Sequence, residues 1–308
     1  MKNYRPISKL PSCAKLLEKI VCSQLCSYLE RNNLLQDCQY GFRKCRSTSG
    51  QMLQCLSVWS KFLTSKIPAD TIYLDFASAF DSVPHGKLLH CLASLGIADP
   101  LLSWIAAFLE NRTLRVQVDK TLSTPRPITS SIPQGGCLSP LIFIMYTSSL
   151  LKQLVACGVH VFVFADDIKI TSDCPLKLQQ ALDCVSCWCK DWQMTLSVGK
   201  CVVLPIGKGL NYQYLVSNVA LPPSTREPQR DLGFIVNPSL SFADHCTRMS
   251  SKARQTASLV LRCFHSSSLE TLTRAYCVYV RPILEYGIPV FNSIGEVDAK
   301  RLEQVQRW

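Results

Sequence analysis

Apolar residues recur along the chain with two periods, and the switches between them delimit its elements. Leu16, Leu17, Ile20, Val21, Leu25, Tyr28 and Leu29 fall at helical spacing, as do Met52, Leu56, Trp59, Phe62 and Leu63. The opening Tyr4-Arg5-Pro6-Ile7-Ser8 is expected to be extended, since proline disfavours helix in the residue before it. Thr71-Ile72-Tyr73-Leu74-Asp75-Phe76 predicts a strand, followed by Leu- and Trp-rich helices over 86–96 and 100–110. Thr113 to Val118 alternates and predicts a strand with its basic face outward. Ser139-Pro140 reads as an N-cap and first helical residue, with the helix running through Leu141, Ile144, Met145, Leu150, Leu151 and Val155. Val161 to Ala165 and Ile168-Lys169-Ile170 predict two strands around a tight turn. A helix over about 176–192, strands at 201–204 and 231–236, and a basic helical region from about Asp244 complete the pattern. Helices alternate with strands in two clusters, which indicates an α+β fold rather than a doubly wound sheet.

The expected turn of the central hairpin is Asp166-Asp167. Adjacent like charges repel unless a cation neutralises them, and hard carboxylate oxygens at a rigid turn suit Mg²⁺. A solvated turn is the simpler alternative, because Asp is a good turn residue. Asp75 ends an apolar strand, an expensive placement without a partner, and a metal shared with the doublet would account for it. Asp81 is expected to cap or orient the next turn. Two metal ions bridged by such acids can support an in-line phosphoryl displacement.

Charge supplies a substrate class. The net +11 is segregated: residues 1–66 carry +8, residues 67–247 carry −1 and residues 248–308 carry +4. Basic flanks around a neutral, acid-bearing middle suggest a polyanion gripped from both sides. The loop Gln39-Tyr40-Gly41-Phe42-Arg43-Lys44-Cys45-Arg46 places three cations beside two aromatics and suits phosphate or base contact, a solvated basic turn being the equal alternative. Pro133-Gln134-Gly135-Gly136 exposes backbone to a close partner.

At 308 residues and 47% hydrophobic, the chain can bury a core split into two or three subdomains. No stretch approaches a membrane span, the start lacks a signal-peptide core, and an intracellular protein (cytoplasm, nucleus or both) is expected. The 17 cysteines read as reduced core residues; Cys184, Cys187 and Cys189 lie in a helical pattern with no histidine near to complete a zinc set.

These pieces converge on a resemblance. The chain resembles the reverse transcriptase domain of non-LTR (LINE-type) retrotransposons of the Jockey/CR1-like kind. The matching residues are Asn3-Tyr4-Arg5-Pro6-Ile7-Ser8, Gln39-Tyr40-Gly41-Phe42-Arg43-Lys44, Leu74-Asp75-Phe76 with Ala79-Phe80-Asp81-Ser82-Val83-Pro84-His85, and Pro133-Gln134-Gly135 with Leu138 and Pro140-Leu141. They continue through Phe164-Ala165-Asp166-Asp167, Trp192, Lys200-Cys201, Asp231-Leu232-Gly233, Arg281 to Tyr286 and Glu303 to Arg307. Their order and spacing carry the likeness more than any one motif.

The resemblance implies a right-hand polymerase, with fingers over about 1–66, a palm to about 236 and an incomplete helical thumb over 237–308. It implies an RNA-directed DNA polymerase that takes an RNA template, a DNA primer and dNTPs and uses two Mg²⁺ ions, Mn²⁺ being a possible substitute. By the same likeness Asp75, the Phe76 carbonyl, Asp166 and Asp167 form the metal site. Phe80 is the steric gate, Gln134 and Gly135 help position the incoming nucleotide and template, and Lys200 stands near the triphosphate as a candidate general acid. Arg43 and Arg46 are candidates for phosphate contact. The chain departs from the family at Ser78, usually Lys, at Cys45 and Ser131, usually Gly, and at Ser148-Ser149, usually Asn-Asp. None of these deletes a metal ligand. The chain is expected to be truncated at both ends relative to a full element. Two alternatives stay open: an inactive relic that binds nucleic acid through its basic flanks, and a two-metal nuclease.

Overall fold

The computed structural model describes residues 7–8, 10–263, 268–291 and 294–307. The expected extended start at Tyr4-Arg5-Pro6 lies outside these residues, as does Trp308.

In chain order, helices α1 (Ser12–Arg31) and α2 (Thr48–Thr64) precede strand β1 (Ala69–Leu74) and helices α3 (His85–Ser94) and α4 (Leu101–Leu109). The predicted strand of 113–118 is instead divided. Strand β2 (Thr113–Leu114) pairs with β5 (Arg126–Pro127), and β3 (Gln117–Val118) pairs with β4 (Thr121–Leu122). All four short strands are exposed, so no buried face fixes one continuous register.

The long helix predicted from Ser139 is also divided, into α5 (Ser139–Tyr146) and α6 (Ser148–Ala156). At the break the Thr147 hydroxyl donates to the carbonyls of Phe143 and Ile144, a back-bond that bends helices. Strands β6 (His160–Phe164) and β7 (Asp167–Ser172) form the hairpin, followed by α7 (Pro175–Trp192) and β8 (Val202–Ile206). Strands β9 (Leu215–Val216) and β10 (Val219–Ala220) pair, as do β11 (Gln229–Asp231) and β12 (Phe234–Val236). The strand predicted over 231–236 is therefore a hairpin turning at Leu232 and Gly233, both at positive φ. Helices α8 (Ala243–Cys263), α9 (Leu269–Ala275), α10 (Arg281–Glu285), α11 (Ile288–Phe291) and α12 (Glu296–Gln306) follow, with a π-helical turn at Tyr276–Val280.

The chain forms two compact units that interleave along the sequence. The first comprises Met1–Arg46, Thr71–Val203 and Asn211–Pro223. Its main sheet runs in the order β6-β7-β1-β8. Helix α6 packs on β6 and α7 on β7, and Trp188 of α7 lies edge-on to Phe76 at 6.4 Å and to Tyr146 at 6.0 Å. Fully burying an aromatic of this size contributes roughly 2–3 kcal/mol.

The second unit comprises Ser47–Asp70, Leu204–Leu210 and Ser224–Trp308. Its helical core joins Ala253, Val280, Leu284 and Val305, flanked by Ala257, Tyr276, Ile283 and Leu302. In the same unit Phe234, Phe242 and Phe291 surround the buried His245 ring at 5.0–6.2 Å.

Candidate active site

The site is set by the register of three strands in the first unit. Within the hairpin, Phe164 pairs with Asp167 and His160 with Thr171. The two-residue turn is thus Ala165 and Asp166, not the expected Asp166 and Asp167; Asp167 opens strand β7. Ala165 holds φ +61°, the left-handed region that a side chain disfavours and that type II′ turns reserve for their first central residue.

Strand β1 lies beside β7, and side chains show the register. Thr71 Oγ1 meets Thr171 Oγ1 at 2.8 Å, and Lys169 Nζ lies 5.9 Å from the centre of the Tyr73 ring. One strand rises as the other falls, two residues per step on one face. The next step sets Asp75 across from Asp167, beside the turn that carries Asp166. The sheet therefore gathers all three predicted acids at one end.

Asp75 fits a cation. Its Oδ2 is shielded from solvent and accepts no hydrogen bond, an expensive state for a carboxylate oxygen without a positive partner. Lys200 Nζ faces that oxygen at 3.8 Å, beyond hydrogen-bond reach, from a side chain that is 76% exposed. Ser197 N–H donates to the Asp75 carbonyl, and Ala77 N–H to that of Thr195, at 2.8 Å each. These bonds flank the Phe76–Leu196 bridge, so the carbonyl of Phe76 points away from Leu196. Among the described residues no three His, Cys, Asp or Glu side chains close into a metal cage. Mg²⁺ held by one or two carboxylates and completed by substrate phosphates needs none.

The second half of the site is a ladder between residues 80–84 and 130–132. Ile132 N–H donates to the Phe80 carbonyl at 2.8 Å and Ser131 N–H to that of Val83 at 2.9 Å. Phe80 stacks on buried Phe143 with centroids 4.5 Å apart. Asp81, expected to cap or orient the turn that follows it, instead accepts at Oδ1 from Gln134 Nε2 at 2.8 Å. Gly135 stands at φ +114°, and a Cβ there would lie 2.8 Å from the Ser8 carbonyl oxygen. Ser131 and Cys45, which occupy positions expected to need glycine, sit at φ +101° and +58°.

The two loop arginines part company. Arg43 is turned inward, its side chain 7% exposed. It grips Glu30 through two bonds of 2.8 and 2.6 Å and donates to the carbonyls of Gln36 and Gln39. The guanidinium holds the Glu30 carboxyl below the usual carboxylate range. These four bonds to Glu30, Gln36 and Gln39 let Arg43 tie the loop together. Arg46 pairs with exposed Asp37 at 3.1 Å and stacks over Tyr40 at 4.7 Å, which leaves part of its side chain open.

Two further residues support the site, Gln39 of the basic loop and Glu18, neither of which the sequence marks as buried. Gln39, 1% exposed, accepts at Oε1 from Ala165 N–H at 3.0 Å and from Gly41 N–H at 2.7 Å. Glu18, also 1% exposed, accepts at Oε2 from the N–H groups of Cys137 and Leu138, at 2.8 and 3.2 Å. It thereby serves the start of α5, whose N-cap is Leu138 rather than the expected Ser139. A buried polar residue breaks no apolar period, so neither announces itself. The one signal was Gly41 between two aromatics, a hint of close backbone approach.

Comparison with known proteins agrees with this architecture. Residues 1–236 match the family described as reverse transcriptase (RNA-dependent DNA polymerase). The chain is 28% identical to the RNA-directed DNA polymerase from mobile element jockey of Drosophila funebris, over 98% of this chain and 35% of that protein. It is 26% identical to the probable RNA-directed DNA polymerase from transposon BS of Drosophila melanogaster, over 99% of this chain and 35% of that protein. The chain thus spans about a third of the length of these relatives. Among solved structures, it is similar to an apo telomerase from Candida tropicalis truncated from its C-terminal domain (TM-score 0.55, 12% identity, 74% of this chain and 44% of that one). A telomerase of the same organism bound to a fragment of telomeric RNA gives a TM-score of 0.53 at 13% identity, over 94% of this chain and 49% of that one. At these identities the likeness establishes the fold, that of a right-hand polymerase.

Proposed function

The chain belongs to the reverse transcriptase (RNA-dependent DNA polymerase) family, in its non-LTR retrotransposon branch, and from that premise we propose that it extends a DNA primer on an RNA template. Residues 1–66 then serve as fingers, 67–236 as palm and 237–308 as a thumb-like region. The observation that carries the reading is the shielded, unbonded Oδ2 of Asp75 at the strand end that meets the Asp166 turn.

Asp75, Asp166, Asp167 and the Phe76 carbonyl would hold the divalent ions, two Mg²⁺ or Mn²⁺ in their place. Such ions activate the attacking oxygen and stabilise the leaving one in phosphoryl transfer. The chain's own groups do the rest. Phe80, fixed against Phe143, offers a ring face beside the sugar and restricts room for a 2′-hydroxyl. Gln134, oriented by Asp81, and Gly135 position the incoming nucleotide and template. Lys200 reaches the acidic end of the sheet with an exposed side chain and would neutralise triphosphate charge and donate a proton to the leaving group. Arg46 supplies a partly open cation for phosphate.

The test is primer extension on an RNA template with dNTPs and Mg²⁺ or Mn²⁺. Incorporation by the wild-type chain, lost in Asp166→Asn, is the expected result. Salt-sensitive RNA binding without incorporation would instead establish the inactive-relic reading. Support for the relic rests so far only on the strained backbone at Ser131 and Cys45.

A further inference from the structure

We propose that Gln39 is a positioning residue for the aspartate turn: its buried amide holds the Ala165 peptide in the left-handed conformation that aims Asp166. The inference rests on the metal-site reading above and adds the group that keeps the site in shape.

An L-residue at φ +61° costs about 1–2 kcal/mol, and such strain persists only where the surroundings over-determine it. At Ala165 the over-determination is visible. Its N–H donates to Gln39 Oε1 at 3.0 Å, and Gln39 Nε2 approaches its carbonyl at 3.4 Å. Both faces of one residue are thus read by one side chain. The amide's orientation is dictated, because Gly41 N–H also donates to Oε1 at 2.7 Å and two donors require an oxygen.

The backbone around Gln39 is fixed in turn. Residues 38–41 run beside β6, the edge strand of the sheet, with a parallel bridge from Gln39 to Val163. Tyr40 N–H donates to the Val163 carbonyl at 2.8 Å, and Val163 N–H to that of Cys38 at 3.0 Å. Arg43 adds a bond of 3.4 Å to the Gln39 carbonyl. At Gly41 a Cβ would sit 2.4 Å from the Ala165 nitrogen, so only glycine permits the approach. Gln39 and Gly41 thus meet directly at Ala165, the residue next to Asp166, and the remaining bonds fix the segment that carries them.

The discriminating variant is Gln39→Met, which keeps length and volume and removes the amide. Two readouts are made on the full chain, with folding checked by thermal melting. The first is hydrogen exchange of the Ala165 amide, followed by NMR of ¹⁵N-labelled protein; it is expected to accelerate in Gln39→Met. The second is Mn²⁺ affinity from the electron paramagnetic resonance of the free ion, expected to fall roughly tenfold, as for the loss of other groups that orient metal ligands. Adding Ala165→Gly, which carries no penalty at positive φ, is expected to recover much of the affinity.

Unchanged exchange and affinity in Gln39→Met would overturn the inference while leaving the metal site standing. A weakened Mn²⁺ site that Ala165→Gly does not restore would also overturn it, since the defect would not lie in the turn. If Asp166→Asn binds Mn²⁺ as the wild type does, the metal-site reading itself fails, and the exchange result still decides whether Gln39 holds the turn. Should Gln39→Met not fold, Gln39→Glu retains the acceptor and is expected to preserve slow exchange; rapid exchange there counts against the inference.

Discussion

The side-chain amide of Gln134 donates to Oδ1 of Asp81 at 2.8 Å, across 53 residues of sequence. Asp81 sits next to the Phe80 ring, and Gln134 next to Gly135. One hydrogen bond thus couples the two elements assigned to the incoming nucleotide. Asp81→Ala is expected to raise the KM for dNTP about fivefold, the equivalent of one net hydrogen bond, with a smaller change in kcat. Asp81→Asn keeps an acceptor and is expected to stay near wild type. Steady-state extension kinetics decide it; an equal loss in both variants would place the role of Asp81 in its charge.

Ser131 at φ +101° holds a Cβ where glycine is at ease, and its N–H and carbonyl are both engaged, by Val83 and His85. Ser131→Gly keeps those bonds and removes the strain, offset in part by the greater freedom of an unfolded glycine. A gain of about 1 kcal/mol in urea unfolding is expected. Cys45→Gly, at φ +58°, is expected to gain less, because the left-handed well is the milder conformation.

Burial pushes the His245 imidazole down to about 4 from its ordinary 6.5, with three phenylalanine rings around it and no partner for either ring nitrogen. As pH falls through 6.5 the unfolded chain takes up a proton that the folded one refuses until about pH 4. The unfolded state then binds more protons, so stability drops across that window, by about 2 kcal/mol at pH 5 relative to pH 7. His245→Leu is expected to lose this part of the pH dependence. Urea midpoints of both proteins at pH 7 and pH 5 measure it, and parallel slopes would refute the assignment.

Glu18 receives two backbone N–H groups at the start of α5 while its Oε1 stays buried without a partner. Glu18→Ala leaves both donors unsatisfied and is expected to cost about 2–3 kcal/mol. Glu18→Gln retains an acceptor and is expected to cost less than half as much. Thermal melting of the pair tests whether the carboxylate, rather than helix α1 as a whole, supports the Pro133-Gln134-Gly135-Gly136 turn.

The chemistry was more legible in the sequence than the geometry that sustains it. Asp75 stood out because an acid at the end of an apolar strand is costly, and Asp166 because it stands beside a second acid. The turn itself was misplaced by one residue. Two aspartates are good turn formers and alanine is a poor one, so local chemistry favoured the wrong pair; the Phe164–Asp167 register and a glutamine 126 residues away impose the other. The inward turn of Arg43 was illegible for a similar reason. A cation in a basic loop looks available until its buried partner, Glu30, is known. Exposed Leu16, Leu17 and Ile20 on α1 show the converse, since helical spacing predicts a face without saying what covers it.

The contact between Gly41 and Ala165 also has a kinetic meaning. Synthesis delivers residues 38–41 long before the β6–β7 hairpin that they must embrace, and a separation of 126 residues makes this closure late and entropically slow. The hairpin alone can form early, yet its turn would then be free to relax from the strained conformation. The turn that carries Asp166 takes its final shape only when the first and second thirds of the chain have met, which ties completion of the hairpin to completion of the fold.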